Sequence, residues 1–122
     1  NKTNNFTMKK HLIAAAAVLI LASCARQKPL YDWHDYNDTS YGYQKDSDKE
    51  SIEDILGSYK DIVKEQKDGT RKAVPPGVYA DYGFLLLQNG QTKKGSQMLE
   101  REMKMYPESK IFIDRILKMI EE

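Results

Sequence analysis

Between residues 47 and 122 the chain carries four apolar stripes of helical period, separated by Pro75-Pro76, Asn89-Gly90 and Pro107. That punctuation leaves little room for anything but short stacked helices. In the first stripe Ile52, Ile55, Leu56, Tyr59, Ile62 and Val63 recur at helical spacing, Asp48 or Ser51 stands ready to cap, and Gly69 is the stop signal. Gly57 interrupts it at a cost of about 1 kcal/mol relative to alanine, so close packing is expected there. The second helix begins at Pro75-Pro76, where the rings preset φ, and is apolar almost all round. Gly90 suits the left-handed turn after it, and Thr92 is placed to cap a third helix running to Tyr106. Pro107 ends that helix, and Ser109 can cap a fourth, with Ile111, Phe112, Ile113, Ile116, Leu117 and Ile120 as its stripe.

The spacing inside the second half carries more information than the stripes alone. Gly83, Leu86, Gly90, Gly95 and Leu99 precede Pro107 by 24, 21, 17, 12 and 8 residues. This resembles the tetratricopeptide (TPR) repeat, a helix-turn-helix unit of about 34 residues. Tyr79 stands where that pattern prefers Trp, and Tyr82 where it prefers Leu; Glu102 departs from a small apolar position. Gly83 and Gly95, lacking side chains, let two helices approach, while Tyr79, Leu86, Leu99 and Pro107 complete the packing set. One repeat cannot bury its own faces, so the first and last helices must flank it, and an edge is expected to stay uncovered. The expected architecture is all-α: a small four-helix TPR-like array over 47–122.

The N-terminal part has a different purpose. Lys9-Lys10 is a basic region, Leu12 to Ala22 an apolar run of 11 residues, and Leu21-Ala22-Ser23-Cys24 closes it with small residues. A membrane-crossing helix needs about 20 apolar residues, so this run reads as a secretory signal core. Met8, directly before the lysines, is the expected start of translation. The lone cysteine resembles the lipobox of bacterial lipoproteins at every position. That resemblance implies cleavage between Ser23 and Cys24, acylation of Cys24 and, with Ala25 where a retention signal places Asp, an outer-membrane address on the periplasmic face. Buried acyl chains at about 0.8 kcal/mol per CH₂ would make a lasting tether. Expected boundaries are a leader over 1–23, a lipidated tether and aromatic arm over 24–46, and the helical domain beyond. Removing Lys2, Lys9 and Lys10 from 19 basic residues leaves 16 against 18 acidic ones, which offers no basic footprint for nucleic acid. With one cysteine, no internal disulfide is available, and packing alone must hold the fold.

The arm reads "LYDWHDYNDTSYGY", rings interleaved with Asp, Asn, Ser and Gly without sustained period, and is expected to be extended. Its Tyr31, Trp33, Tyr36, Tyr41 and Tyr43 are candidate partner-binding anchors, since aromatic rings supply contact area at low entropic cost. This arm, the Pro-Pro-Gly-x-Tyr-Ala-x-Tyr-Gly helix start and the Tyr-Pro-Glu-Ser helix end resemble the bacterial lipoproteins grouped as DUF4810. The resemblance spans nearly the whole mature chain. His34 departs from the Gly that commonly follows the Trp. The setting it implies is company with CsgG-like secretion or envelope-assembly proteins; it implies no activity.

Catalytic chemistry finds no foothold. His11 lies in the leader and His34 has no cysteine partner, so neither a histidine-cysteine metal site nor a histidine-activated thiol is expected. Asp35, Asn37, Thr39 and Asp46 echo a calcium loop only faintly, with Ser40 in place of the turn glycine. No cofactor, metal or small-molecule substrate is expected. Met98, Met103, Met105 and Met119 fit either an adaptable surface or core, and Tyr79 and Tyr82, with Asp81 between them, either a peptide groove or helix packing. The expected function is therefore a membrane-tethered protein-interaction adaptor in an envelope or secretion assembly. The alternative is binding of peptidoglycan or another wall glycan through the aromatic arm.

Overall fold

A computed structural model describes residues 2–22 and 27–121. Its elements are α1 (Lys2–Ala22), α2 (Tyr36–Asp46), α3 (Lys49–Lys64), α4 (Val78–Gln88), α5 (Thr92–Met105) and α6 (Lys110–Glu121), the last preceded by a 3₁₀ turn over Pro107–Ser109. Among the described residues there is no strand, and the protein is all-α. Helix α1 spans the segment read as a leader, and among the described residues no helix is long and apolar enough to cross a membrane. Ser23 and Cys24, the residues of the expected cleavage and lipidation, lie outside the described residues.

Helices α3 to α6 are the four expected from the stripes. The arm before them is not extended as expected: from Tyr36 it is helical, and α2 lies against α3. Its composition disfavours a free helix, but Tyr36 and Tyr43 pack on the core, and Thr39 Oγ1 donates to Ser58 Oγ at 2.9 Å. Tertiary contacts thus override weak local preference. Ser47 turns the chain at φ 47°, and Asp48 caps α3 by accepting from the Ser51 amide at 2.8 Å.

Helix α3 ends at Lys64, well before Gly69, which serves a different purpose described below. Gly57 also departs from expectation, because nothing lies within 4 Å of where its Cβ would be. No packing there requires a glycine. Gly57→Ala is accordingly expected to stabilise the protein by about 0.5–1 kcal/mol through helix propensity, read as a raised denaturant midpoint at unchanged slope.

Helix α4 begins at Val78, with Gly77 at φ 89° as its cap, three residues into the Pro-Pro-Gly turn. Its end follows the expected geometry: Gly90 sits at φ 76°, its amide donates to Leu87 O and the Gln91 amide donates to Leu86 O. These are the paired bonds of a Schellman motif. Thr92 opens α5 without capping it, since Gln91 is the cap residue and no side chain bonds there. Ser109 Oγ donates to Tyr106 O at 2.7 Å, stapling the turn that leads to α6.

From α2 to α6 consecutive helices stack on one another, and two apolar clusters hold the stack. One joins α3, α4 and α5 through Ile55, Tyr59, Ile62, Val78, Tyr82, Leu86 and Met98. The other joins α4, α5 and α6 through Ala80, Leu99, Ile113 and Ile116. Helix α4 contributes to both and is the centre of the fold.

Candidate partner-docking surface

The arm is fastened before it becomes helical. Pro29 O and Leu30 O accept from the amides of Thr70 and Arg71, each at 3.0 Å. Gln66 grips the next peptide with both ends of its amide: Oε1 accepts from the Asp32 N–H at 2.9 Å and Nε2 donates to Asp32 O at 2.7 Å. Gly69 makes this approach possible. A Cβ there would stand 2.9 Å from both Asp32 N and Tyr31 Cα, too close for any side chain. His34 turns the chain at φ 46°, a left-handed conformation that favours glycine. Its Nε2 bonds Glu65 O at 2.9 Å, and that bond, foremost, raises the imidazole above its ordinary range.

Three of the five candidate anchors are threaded into a chain of rings. Tyr31 meets Trp33 edge-on at 6.4 Å, Trp33 meets Tyr36 at 5.4 Å, Tyr36 meets Tyr59 at 5.4 Å, and Tyr59 stacks on Tyr82 at 5.8 Å. Arg71 lies over the outer ring and Lys94 over the inner one. Such contacts contribute about 0.5–1.5 kcal/mol each beyond area burial. These rings therefore dock the arm on its own domain. Trp33 keeps 39 % of its surface exposed and Tyr41 70 %, while Tyr43 lines a groove.

That groove, about 320 Å³, runs between α2, α3 and α4 and is walled by Tyr36, Tyr43, Tyr59, Phe84 and Leu85, with Ser40, Gln44 and Gln88 at its polar edge. A second, of about 280 Å³, lies between α4 and α6, lined by Ala80, Phe84, Phe112, Ile116 and Met119. Asp81 and Phe84 line both. They sit three residues apart on α4 and so share a face. The second trough is the uncovered edge expected from an incomplete stack: Phe84, Phe112 and Met119 are 43 %, 62 % and 65 % exposed.

The tyrosines flanking Asp81 take the packing role. Tyr82 is buried and Tyr79 lies half-buried against the same cluster, leaving Asp81 to face the grooves. Its carboxylate reaches solvent, yet apolar surroundings hold its pKa above the usual range. The Tyr59 phenol is pushed far up by burial, next by its bond to Tyr36, then by the Asp81 charge. Of the four methionines after the leader, Met98 is buried and Met103 packs on the second cluster, whereas Met105 and Met119 are exposed.

The expected packing set closes the α4–α5 hairpin. Leu86 and Leu99 are buried, Pro107 starts the 3₁₀ turn, and Gly83 and Gly95 face each other so closely that a Cβ on either would come within 2.8 Å of the other's carbonyl oxygen. Glu102, the departure from the repeat pattern, is 2 % exposed, and its Oε1 accepts from the Gly77 N–H at 2.7 Å. It caps α4 from the neighbouring helix, where the helix dipole favours a negative group. Gln66 and Glu102 are the two residues whose importance sequence reasoning missed; their partners are 34 and 25 residues away. Asn37, Thr39 and Asp46 lie on α2 and not on a loop, and among the described residues no cluster of His, Cys, Asp or Glu could hold a metal ion.

No curated protein and no solved structure matches the chain. The family model described as "Domain of unknown function (DUF4810)" matches residues 30–116, from the fastened start of the arm to Ile116 on α6. The matched span thus takes in the ring chain, the first groove and all of the second but Met119, and this protein belongs to the DUF4810 family.

Proposed function

We propose that this protein is a non-catalytic interaction adaptor, tethered by acyl chains on Cys24 to the periplasmic face of the outer membrane, where it docks a protein of an envelope or secretion assembly. The observation that carries this reading is the trough between α4 and α6, where Phe84, Phe112 and Met119 stand exposed around one concavity. Contiguous apolar surface rimmed by polar residues is the usual mark of a protein-binding site. The arm supports a protein partner over a wall glycan. Sugar stacking needs free ring faces, and Tyr36 is packed between Trp33 and Tyr59 while Arg71 lies over the Tyr31 ring.

A photoreactive phenylalanine analogue in place of Phe112, expressed in living cells, is expected to crosslink to an envelope protein. The same analogue in place of the exposed Lys49 on α3 should give no adduct. Equal labelling at both positions, or none at Phe112, would count against the docking reading. Mass spectrometry of the mature N-terminal peptide should find Cys24 acylated; a free thiol there would overturn the anchor.

A further inference from the structure

The two grooves meet at a single charge. Among the residues lining either one, Asp81 is the one carboxylate and no Lys, Arg or His is present; it shares the first groove with the rings of Tyr36, Tyr43, Tyr59 and Phe84 and the oxygens of Ser40, Gln44 and Gln88. Among the described residues no basic side chain pairs with it. A carboxylate is an acceptor only, and one left without a counter-charge beside apolar walls is costly. Desolvation by the apolar walls accordingly raises its pKa, and no nearby cation pulls it back.

The chemistry that satisfies this arrangement is narrow. The rings of Tyr43 and Phe84, which stand outside the stacked chain, attract a cation, hydroxyl and amide oxygens accept its hydrogen bonds, and the carboxylate neutralises it. An anion would be repelled. A hard metal ion requires six or more oxygen ligands, which a single carboxylate among tyrosines does not supply. A free amine would fill the aromatic groove but leave the adjoining trough of Phe84, Phe112, Ile116 and Met119 uncovered. A polypeptide presenting a basic side chain next to apolar ones covers both.

Resting on the docking reading above, we propose that Asp81 receives one lysine or arginine of the partner, seated among Tyr36, Tyr43, Tyr59 and Phe84, while flanking apolar residues of the same segment fill the α4–α6 trough. Phe84 forms the shared wall and sets the spacing between the basic residue and its apolar neighbours.

A phage-displayed library of random dodecapeptides, selected on the purified full chain, tests this. Enriched peptides are expected to carry Lys or Arg beside Leu, Ile or Phe. A synthetic peptide of the selected sequence should bind Asp81→Asn about tenfold more weakly, lose most of its salt dependence there, and regain affinity with Asp81→Glu. Phe84→Ala should weaken every selected peptide. Far-UV circular dichroism should be the same for all variants, since the Asp81 carboxylate is exposed and accepts no hydrogen bond within the described residues, and Phe84 is partly exposed. Enrichment of apolar peptides without a basic residue, or unchanged binding to Asp81→Asn, overturns the assignment to Asp81 and leaves the docking reading standing. Failure to enrich any peptide overturns both.

Discussion

Gly83→Ala is expected to destabilise the protein by about 2 kcal/mol, lowering the melting temperature on the order of 10 °C in calorimetry. Helix propensity alone argues the other way, favouring alanine by about 1 kcal/mol. Overpacking outweighs it, because the new Cβ would stand 2.8 Å from the Gly95 carbonyl oxygen and 3.0 Å from Leu99 Cγ, which is fully buried. A backbone oxygen cannot swing aside as a side-chain tip can, so the two helices must separate. Gly95→Ala should act similarly, meeting the Gly83 carbonyl oxygen at 2.8 Å and Leu87 Cγ at 2.7 Å. Once one substitution has spread the pair, the second meets a wider gap, and the double variant should cost less than the sum. A purely additive result would show that the helices do not move together. Because α4 carries Asp81 and Phe84, the same separation should weaken any ligand of the trough. Gly57→Ala, the same change on an open face, carries the opposite sign, so the pair isolates packing from propensity.

Glu102→Ala is expected to cost about 2–3 kcal/mol, measured by denaturant unfolding. The substitution conforms to the small residue that the repeat pattern prefers, so pattern alone would forecast a gain. The loss arises because the Gly77 N–H is left without its acceptor and the start of α4 without its negative cap. Glu102 also makes stability pH-dependent. Burial raises its carboxyl above the ordinary range, against the opposing effect of amides at Gly77, Ala80 and Tyr79. A carboxyl whose folded pKa is raised binds protons more readily in the folded state. Its contribution is therefore fully present below the ordinary glutamate pKa and is lost as pH rises through the folded value. Glu102→Gln keeps an acceptor for Gly77 and removes the titration, so its unfolding midpoint should lack that fall with rising pH. A midpoint with the wild-type pH slope would assign the titration elsewhere.

What could be read in advance depended on how far each interaction reaches along the chain. Stripes, the Gly90 turn and the Asp48 cap are settled within four or five residues, and all stand as the local pattern indicates. The facing glycines were legible as well, because the turn between α4 and α5 is short enough to set one against the other. Helix α2 was not. Its Asn, Asp, Ser and Gly disfavour helix locally, and only contact of Tyr36 and Tyr43 with the core makes it one. Gly69 looked like a helix stop because glycine so often is; its real constraint is the backbone of residues 30–32 lying against it. The candidate site divides the same way. The trough was foreseeable as the bare edge of an incomplete stack, whereas the exposure of Asp81 between two packed tyrosines followed only from the rotation of α4.

The chain alone determined that the protein is a row of short helices with glycine at their closest crossing, since helical period and backbone freedom are properties of neighbouring residues. Tertiary structure decided that the arm lies folded on its own domain, that Glu102 caps a helix other than its own, and that one carboxylate faces an apolar trough. Each of these joins atoms more than twenty positions apart, where free energy depends on which surfaces meet and no local preference signals the outcome.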